Sequence, residues 1–78
     1  MKKLIETLVQ QIVDEPESVT IREIRKREGT EYHVTVAPND VGKIIGKRGR
    51  IATAIRTVVG AVGQKERQNV HVKFETSE

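Results

Sequence analysis

The sequence predicts a small α+β domain in the order helix, strand, strand, helix, helix, strand, with three helices covering one face of a three-stranded mixed sheet. Three observations carry that prediction. Apolar residues recur at helical spacing near the N-terminus and again in the second half of the chain. They alternate at strand spacing in three other stretches, and a glycine-bracketed basic turn, Gly46-Lys47-Arg48-Gly49, separates the two later helical patterns. Seventy-eight residues make one domain. A domain of that size buries only about 60 to 65% of its unfolded surface, which leaves no room for a deep catalytic cleft.

Leu4, Ile5, Leu8, Val9, Ile12 and Val13 draw one wide apolar stripe along a helix over about 3–13. Asp14-Glu15-Pro16 ends it, because the residue before a proline avoids helical angles. The polar face lacks the Lys/Arg density of a membrane-surface helix, so the stripe is read as core. Val19 and Ile21 alternate with Thr20 and Arg22 in a strand over about 18–26, and Ile24 falls out of phase, which predicts an irregularity or a frayed end. Arg25-Lys26-Arg27 at its end is read as a solubilising strand edge, with a binding patch the alternative. Glu28-Gly29-Thr30 turns the chain into a second strand, about 31–37, where Tyr32, Val34 and Val36 face one side and His33 and Thr35 the other.

Ala37-Pro38-Asn39-Asp40 is a helix start, with Asn39 or Asp40 as the cap. It predicts a short helix over about 40–45, closed by Gly46 in a left-handed conformation. Ile51, Ile55, Val58, Val59 and Val62 then mark the inner face of a helix over about 50–62, stopped by Gly63 and followed by a polar loop. Val70, Val72 and Phe74 alternate with His71 and Lys73 in a last strand over about 69–75. Strands joined through a helical crossover lie parallel with a right-handed connection, so this strand is expected beside 31–37, with the first strand antiparallel on the other side.

Charge is segregated. Residues 1–40 hold six Lys/Arg against eight Asp/Glu, residues 41–78 eight against three, and Lys43, Lys47, Arg48 and Arg50 lie within ten residues free of acid. A basic half built round a glycine loop points to a polyanionic partner. Gly46 and Gly49 permit backbone angles and close approaches that a side chain forbids, and a helix beginning near Arg50 would aim its free N–H groups and positive dipole end at the same anion.

Other chemistries are excluded or unsupported. Tyr32 and Phe74 are the only aromatics, too few for modules that read bases by stacking on a sheet. The absence of cysteine excludes disulfides and thiolate metal sites and fits a reducing cytoplasm. No apolar run is long enough to span a membrane, and Glu6, Gln10 and Gln11 interrupt the N-terminal pattern, so no signal peptide is expected. A nucleotide-hydrolase loop needs G-x-x-x-x-G-K-[ST]; Gly42 precedes Gly46-Lys47 by one residue too few, and Arg48 replaces the hydroxyl. His33 and His71 lack a third ligand, so no metal or cofactor is expected. With no nucleophile-base set and only Asp14-Glu15 as paired acids, neither is catalysis.

Ile45-Gly46-Lys47-Arg48-Gly49, framed by Val41, Ile44, Ile51 and Ile55, resembles the I-G-x-x-G signature of the KH domain, whose GXXG loop between two helices clamps about four nucleotides of a single strand. From Leu4 to Phe74 the chain is similar in layout to small bacterial single-KH proteins of the type II fold. That resemblance implies that Gly46 and Gly49 shape the loop, Lys47 and Arg48 contact the sugar-phosphate backbone, and Lys43 and Arg50 are outer contacts. It assigns Ile44, Ile45, Ile51 and Ala54 to an aliphatic groove floor, with plain core the alternative for each. Candidate base readers are Lys65, Arg67, Gln68, Asn69, His71 and Lys73. It further implies single-stranded RNA as ligand, with single-stranded DNA the alternative, a homodimer, and a second, larger KH-containing partner. The implied role is an RNA chaperone linked to cell elongation, division and envelope homeostasis. A protein-interaction adaptor and a ribosome-assembly accessory are the competing readings; an adaptor would tolerate changes at Lys47 and Arg48.

Overall fold

The computed structural model describes residues 1–77, with Lys47 as backbone only. Helix α1, Lys2–Gln10, is followed by a 3-10 turn, Pro16–Ser18, strands β1, Thr20–Lys26, and β2, Gly29–Val36, helix α2, Pro38–Lys65, and strand β3, Val70–Thr76. The sheet order is β1-β2-β3. β1 pairs antiparallel with β2 from Thr20↔Thr35 to Lys26↔Gly29, and β3 pairs parallel with β2 from Thr30↔Val70 to Val36↔Thr76, as the crossover argument requires.

α2 is two helical arms. Arg48 and Gly49 adopt φ of 63° and 69°, and left-handed residues cannot continue a right-handed helix. The arms 38–47 and 50–65 therefore meet at the glycine turn and, with α1, make three helices against the sheet. The left-handed residues are Arg48 and Gly49; Gly46, expected in that role, keeps an ordinary φ. A terminal glycine marks where the turn lies, and local sequence leaves open which residue absorbs it.

Ile5 and Val9 of α1, Ile21 of β1, Tyr32, Val34 and Val36 of β2, Val72 of β3 and Ile44, Ala52, Ile55 and Val59 of α2 form one buried core. Fully burying such an aliphatic side chain contributes about 1.5–3 kcal/mol, so the alternation of β2 and the stripe of α1 set which faces close. Glu31, His33 and Thr35 stand on the uncovered face of the sheet.

Several local expectations are corrected. α1 ends at Gln10, although Val13 N–H still donates to Val9 O and Val13 is buried. The β1–β2 ladder has no irregularity; Ile24 is in register with Glu31 and half-buried on the outer face. The hairpin turns at Arg27-Glu28, and Gly29 opens β2 at φ 148° with Asn69 packed against it. Neither Asn39 nor Asp40 caps α2; Ala37 holds the N-cap position and Pro38 the first turn. Gly63 does not stop the second arm, which runs to Lys65. Gly63 is buried because the chain folds back there, and a Cβ would lie 3.0 Å from Gln68 O and Val70 Cγ2. Val58, expected inside, is 45% exposed.

Candidate nucleic-acid interface

The first arm of α2 is anchored at its start. The Asp40 carboxylate is fully buried and accepts from Asp14 N–H at 2.9 Å and Glu15 N–H at 3.0 Å. Lys43 Nζ donates to the Asp14 carboxylate just above. The turn after α1 thus fixes the arm that leads into Gly46–Gly49, and one of the expected cations, Lys43, already has an acidic partner.

Along that arm the two isoleucines part company. Ile44 is 0% exposed and belongs to the core, so its side chain is beyond a ligand's reach; Ile45 is 49% exposed beside the turn. Gly42 and Gly46 lie one helical turn apart, hence on one face. A Cβ at Gly42, Gly46 or Gly49 would meet nothing within 4 Å, so bare backbone here borders open space. Arg48 and Arg50 are exposed at the turn. The side chain of Lys47 lies outside the described residues. Ile51 is half-buried against the core and Ala54 exposed one turn on. An exposed aliphatic strip, accessible backbone and guanidinium groups that have no carboxylate partner among the described residues can together hold a flexible polyanion by phosphate contacts and van der Waals contact with bases.

The candidate base readers do not form one group. Lys65 closes the second arm, roughly 22 Å from Arg50 at 1.5 Å per residue, and Arg67 lies in the turn just beyond it. Asn69 is occupied within the fold, since its Nδ2 donates to Glu28 O at 3.1 Å and its O accepts from Thr30 N–H at 2.9 Å, clasping the hairpin. Gln68 N–H donates to Gly63 O at 2.7 Å. His71 and Lys73 stand on the outer face of β3, opposite Glu31 and His33. There Glu31 accepts from Lys26 at 2.8 Å and lies 3.0 Å from His33 Nε2, while His33 Nδ1 lies 2.6 Å from Glu75. Lys26 first, then His33, lower the Glu31 carboxyl from its ordinary 4.5 to about 2. His33 is paired with Glu31 and Glu75 and His71 lies in register with Glu31, and no group of metal-ligating side chains occurs among the described residues.

Arg56 is the residue that sequence reading passed over. Its Nε donates to Val72 O on edge strand β3 at 3.1 Å, and its guanidinium lies 5.5 Å from the Phe74 ring centroid. With Val70, His71, Val72 and Lys73 it lines a shallow cavity of about 240 Å³ between the second arm and the strand edge. The available signal was its position as the only cation between Arg50 and Lys65.

A strand, two helical arms joined by a cationic glycine turn, and a returning parallel strand are the core unit of a KH domain, here preceded by the helix and strand of the type II arrangement. The family model described as KhpA/KhpB, KH domain matches residues 2–74, and the chain belongs to that family. It is 56% identical over 61 residues to a protein of Oceanobacillus iheyensis, covering 78% of this chain and 81% of that one. It is 47% identical over 74 residues to one of Clostridium perfringens, at 95% and 99% coverage. With one of Chlamydia trachomatis the identity is 42% over 78 residues, at 100% and 97% coverage. All three relatives are named RNA-binding protein KhpA.

Proposed function

We propose that this chain binds single-stranded RNA, without catalysis, through the turn Gly46–Gly49. The observation that carries the reading is the left-handed Arg48-Gly49 break, which leaves Arg48 and Arg50 exposed beside open backbone and the exposed Ile45. Gly46 and Gly49 shape the turn, Lys47 and Arg48 contact phosphates, and Lys43 and Arg50 are outer contacts, Lys43 exchanging Asp14 for phosphate. Ile45, Ile51 and Ala54 meet the bases. The names of the relatives favour RNA over single-stranded DNA. One such groove sees few nucleotides, so useful affinity comes from joining grooves, which raises effective concentration without new contacts. A homodimer, and a heterodimer with a larger KhpB-like KH protein, supply that. In this reading the protein is a cytoplasmic RNA chaperone and post-transcriptional regulator serving cell elongation, division and envelope homeostasis.

The test is an NMR titration of labelled protein with a short unstructured RNA, beside the same titration of a folded Lys47→Asp/Arg48→Asp variant. Shifts centred on 42–54 that vanish in the variant, and binding that weakens with salt by a slope of about 0.7 per phosphate contact, bear the reading out. No response, or an equal response in the variant, moves a protein-interaction adaptor on the same scaffold to first place.

A further inference from the structure

The end of the molecule opposite the glycine turn carries charge that the proposed clamp does not use. Three segments far apart in sequence converge there: the start of α1, the Arg27-Glu28 hairpin and the turn after Lys65. The packing of Asn69 against Gly29, where a Cβ would come within 2.6 Å of Asn69 O, holds the last two together. Two shallow cavities adjoin at this end. One, of about 500 Å³, is lined in part by Lys2, Lys3, Arg25 and Glu66, and the other, of about 350 Å³, in part by Arg25, Arg27, Glu28 and Arg67; Thr30 and Gln68 line both. Arg25 is held by Glu23 and Lys26 by Glu31. Among the described residues no carboxylate lies within ion-pair distance of Lys2, Lys3, Arg27 or Arg67. Glu28 and Glu66 are the remaining acids, so unpaired cations are in excess. Arg67 projects from a backbone at φ 59°.

Resting on the RNA-binding reading, we infer that Lys2, Lys3, Arg27 and Arg67 form a second phosphate-contact site, which takes the RNA backbone beyond the nucleotides held at the glycine turn. Along edge strand β3, Arg56 and Lys73 line a further shallow cavity that adds two cations on the way between the ends. The second arm alone spans roughly 24 Å of a molecule 34 Å long, so a strand gripped at the turn must continue past its clamped portion to reach the second site. Overall charge hides this feature, because three of the four cations come from the half of the sequence with net negative charge. Folding gathers them at one end and leaves Asp14, Glu15 and Asp40 at the other.

Fluorescence anisotropy with a tetranucleotide and a dodecanucleotide of unstructured RNA, on wild type and Lys3→Gln/Arg27→Gln, separates the cases. The expected result is equal tetranucleotide affinity, dodecanucleotide affinity about tenfold lower in the variant, and a salt slope smaller by about 0.7 for each phosphate no longer neutralised. Comparing the two proteins on the same oligonucleotide removes the statistical gain that any short clamp has on a longer strand. Equal dodecanucleotide binding by both proteins, with the tetranucleotide bound, overturns the second site and leaves the clamp standing. If wild type binds neither oligonucleotide, the clamp reading falls and the second site with it. NMR on wild type is the independent check: resonances of Lys3, Arg27 and Arg67 must move with the dodecanucleotide and stay still with the tetranucleotide.

Discussion

The Asp40 carboxylate accepts from two backbone amides about 25 residues upstream and from none in its own helix. Its residue type and position suggested a helix cap, because the same short acceptor serves a local and a long-range amide equally well. Only the close approach of the turn after α1 selects the second. Asp40→Ala strands two partly buried N–H donors and is expected to lose about 2–3 kcal/mol in urea denaturation. Asp40→Asn, which keeps one acceptor oxygen, should lose less. A loss below about 0.5 kcal/mol for the alanine variant would mean that Asp14 and Glu15 find other acceptors. Arg56 is a second case at this scale. An arginine on a helix flank looks solvated until β3 presents the Val72 carbonyl and the Phe74 ring beside it.

At the level of elements, periodicity located α1, the second arm of α2 and the three strands, a proline start signal and Gly46 located the first arm, and the ends of most of them moved. Gly63 has the composition of a helix stop, yet the second arm passes through it, because its missing side chain serves the return of Gln68 and Val70. Val58 follows the apolar pattern of that arm and still faces out, since a helix wide in aliphatics has more apolar surface than one sheet can cover. The outer face of the sheet is tied across all three strands by Lys26, Glu31, His33 and Glu75. The Glu31 carboxyl titrates lower in the folded chain than when unfolded, so its stabilising effect is complete above the unfolded value near 4.5 and disappears as pH falls towards 2. Acid titration of wild type beside Glu31→Gln checks this: the variant should lose less stability across that window. Parallel acid limbs would show that the ion pairs add nothing.

For the whole molecule, two features bear on assembly. The chain carries basic groups both at the glycine turn and around the start of α1, and the second arm exposes Val58 with Ala61 on one face. That face is the apolar surface available to the proposed homodimer. In sedimentation, wild type is expected to run above its 8.8 kDa chain mass and Val58→Asp as a folded monomer. If wild type is already monomeric at high micromolar concentration, self-association falls. If the variant still pairs, another surface is responsible.

By itself the sequence determined the order of elements, the antiparallel and parallel pairings and the position of the glycine turn. These follow from local periods and backbone freedom at glycine, which act over a few residues, and from the general handedness of crossovers, which needs no knowledge of particular contacts. Tertiary structure alone decided which aliphatics near the turn are core and which are surface, separating Ile44 from Ile45. It also turned Asn69 into a clasp, set Arg56 against β3, and brought Lys2, Lys3, Arg27 and Arg67 to one end. Each of those outcomes depends on which segments meet after the sheet closes, and charge or burial of that kind has no period along the chain.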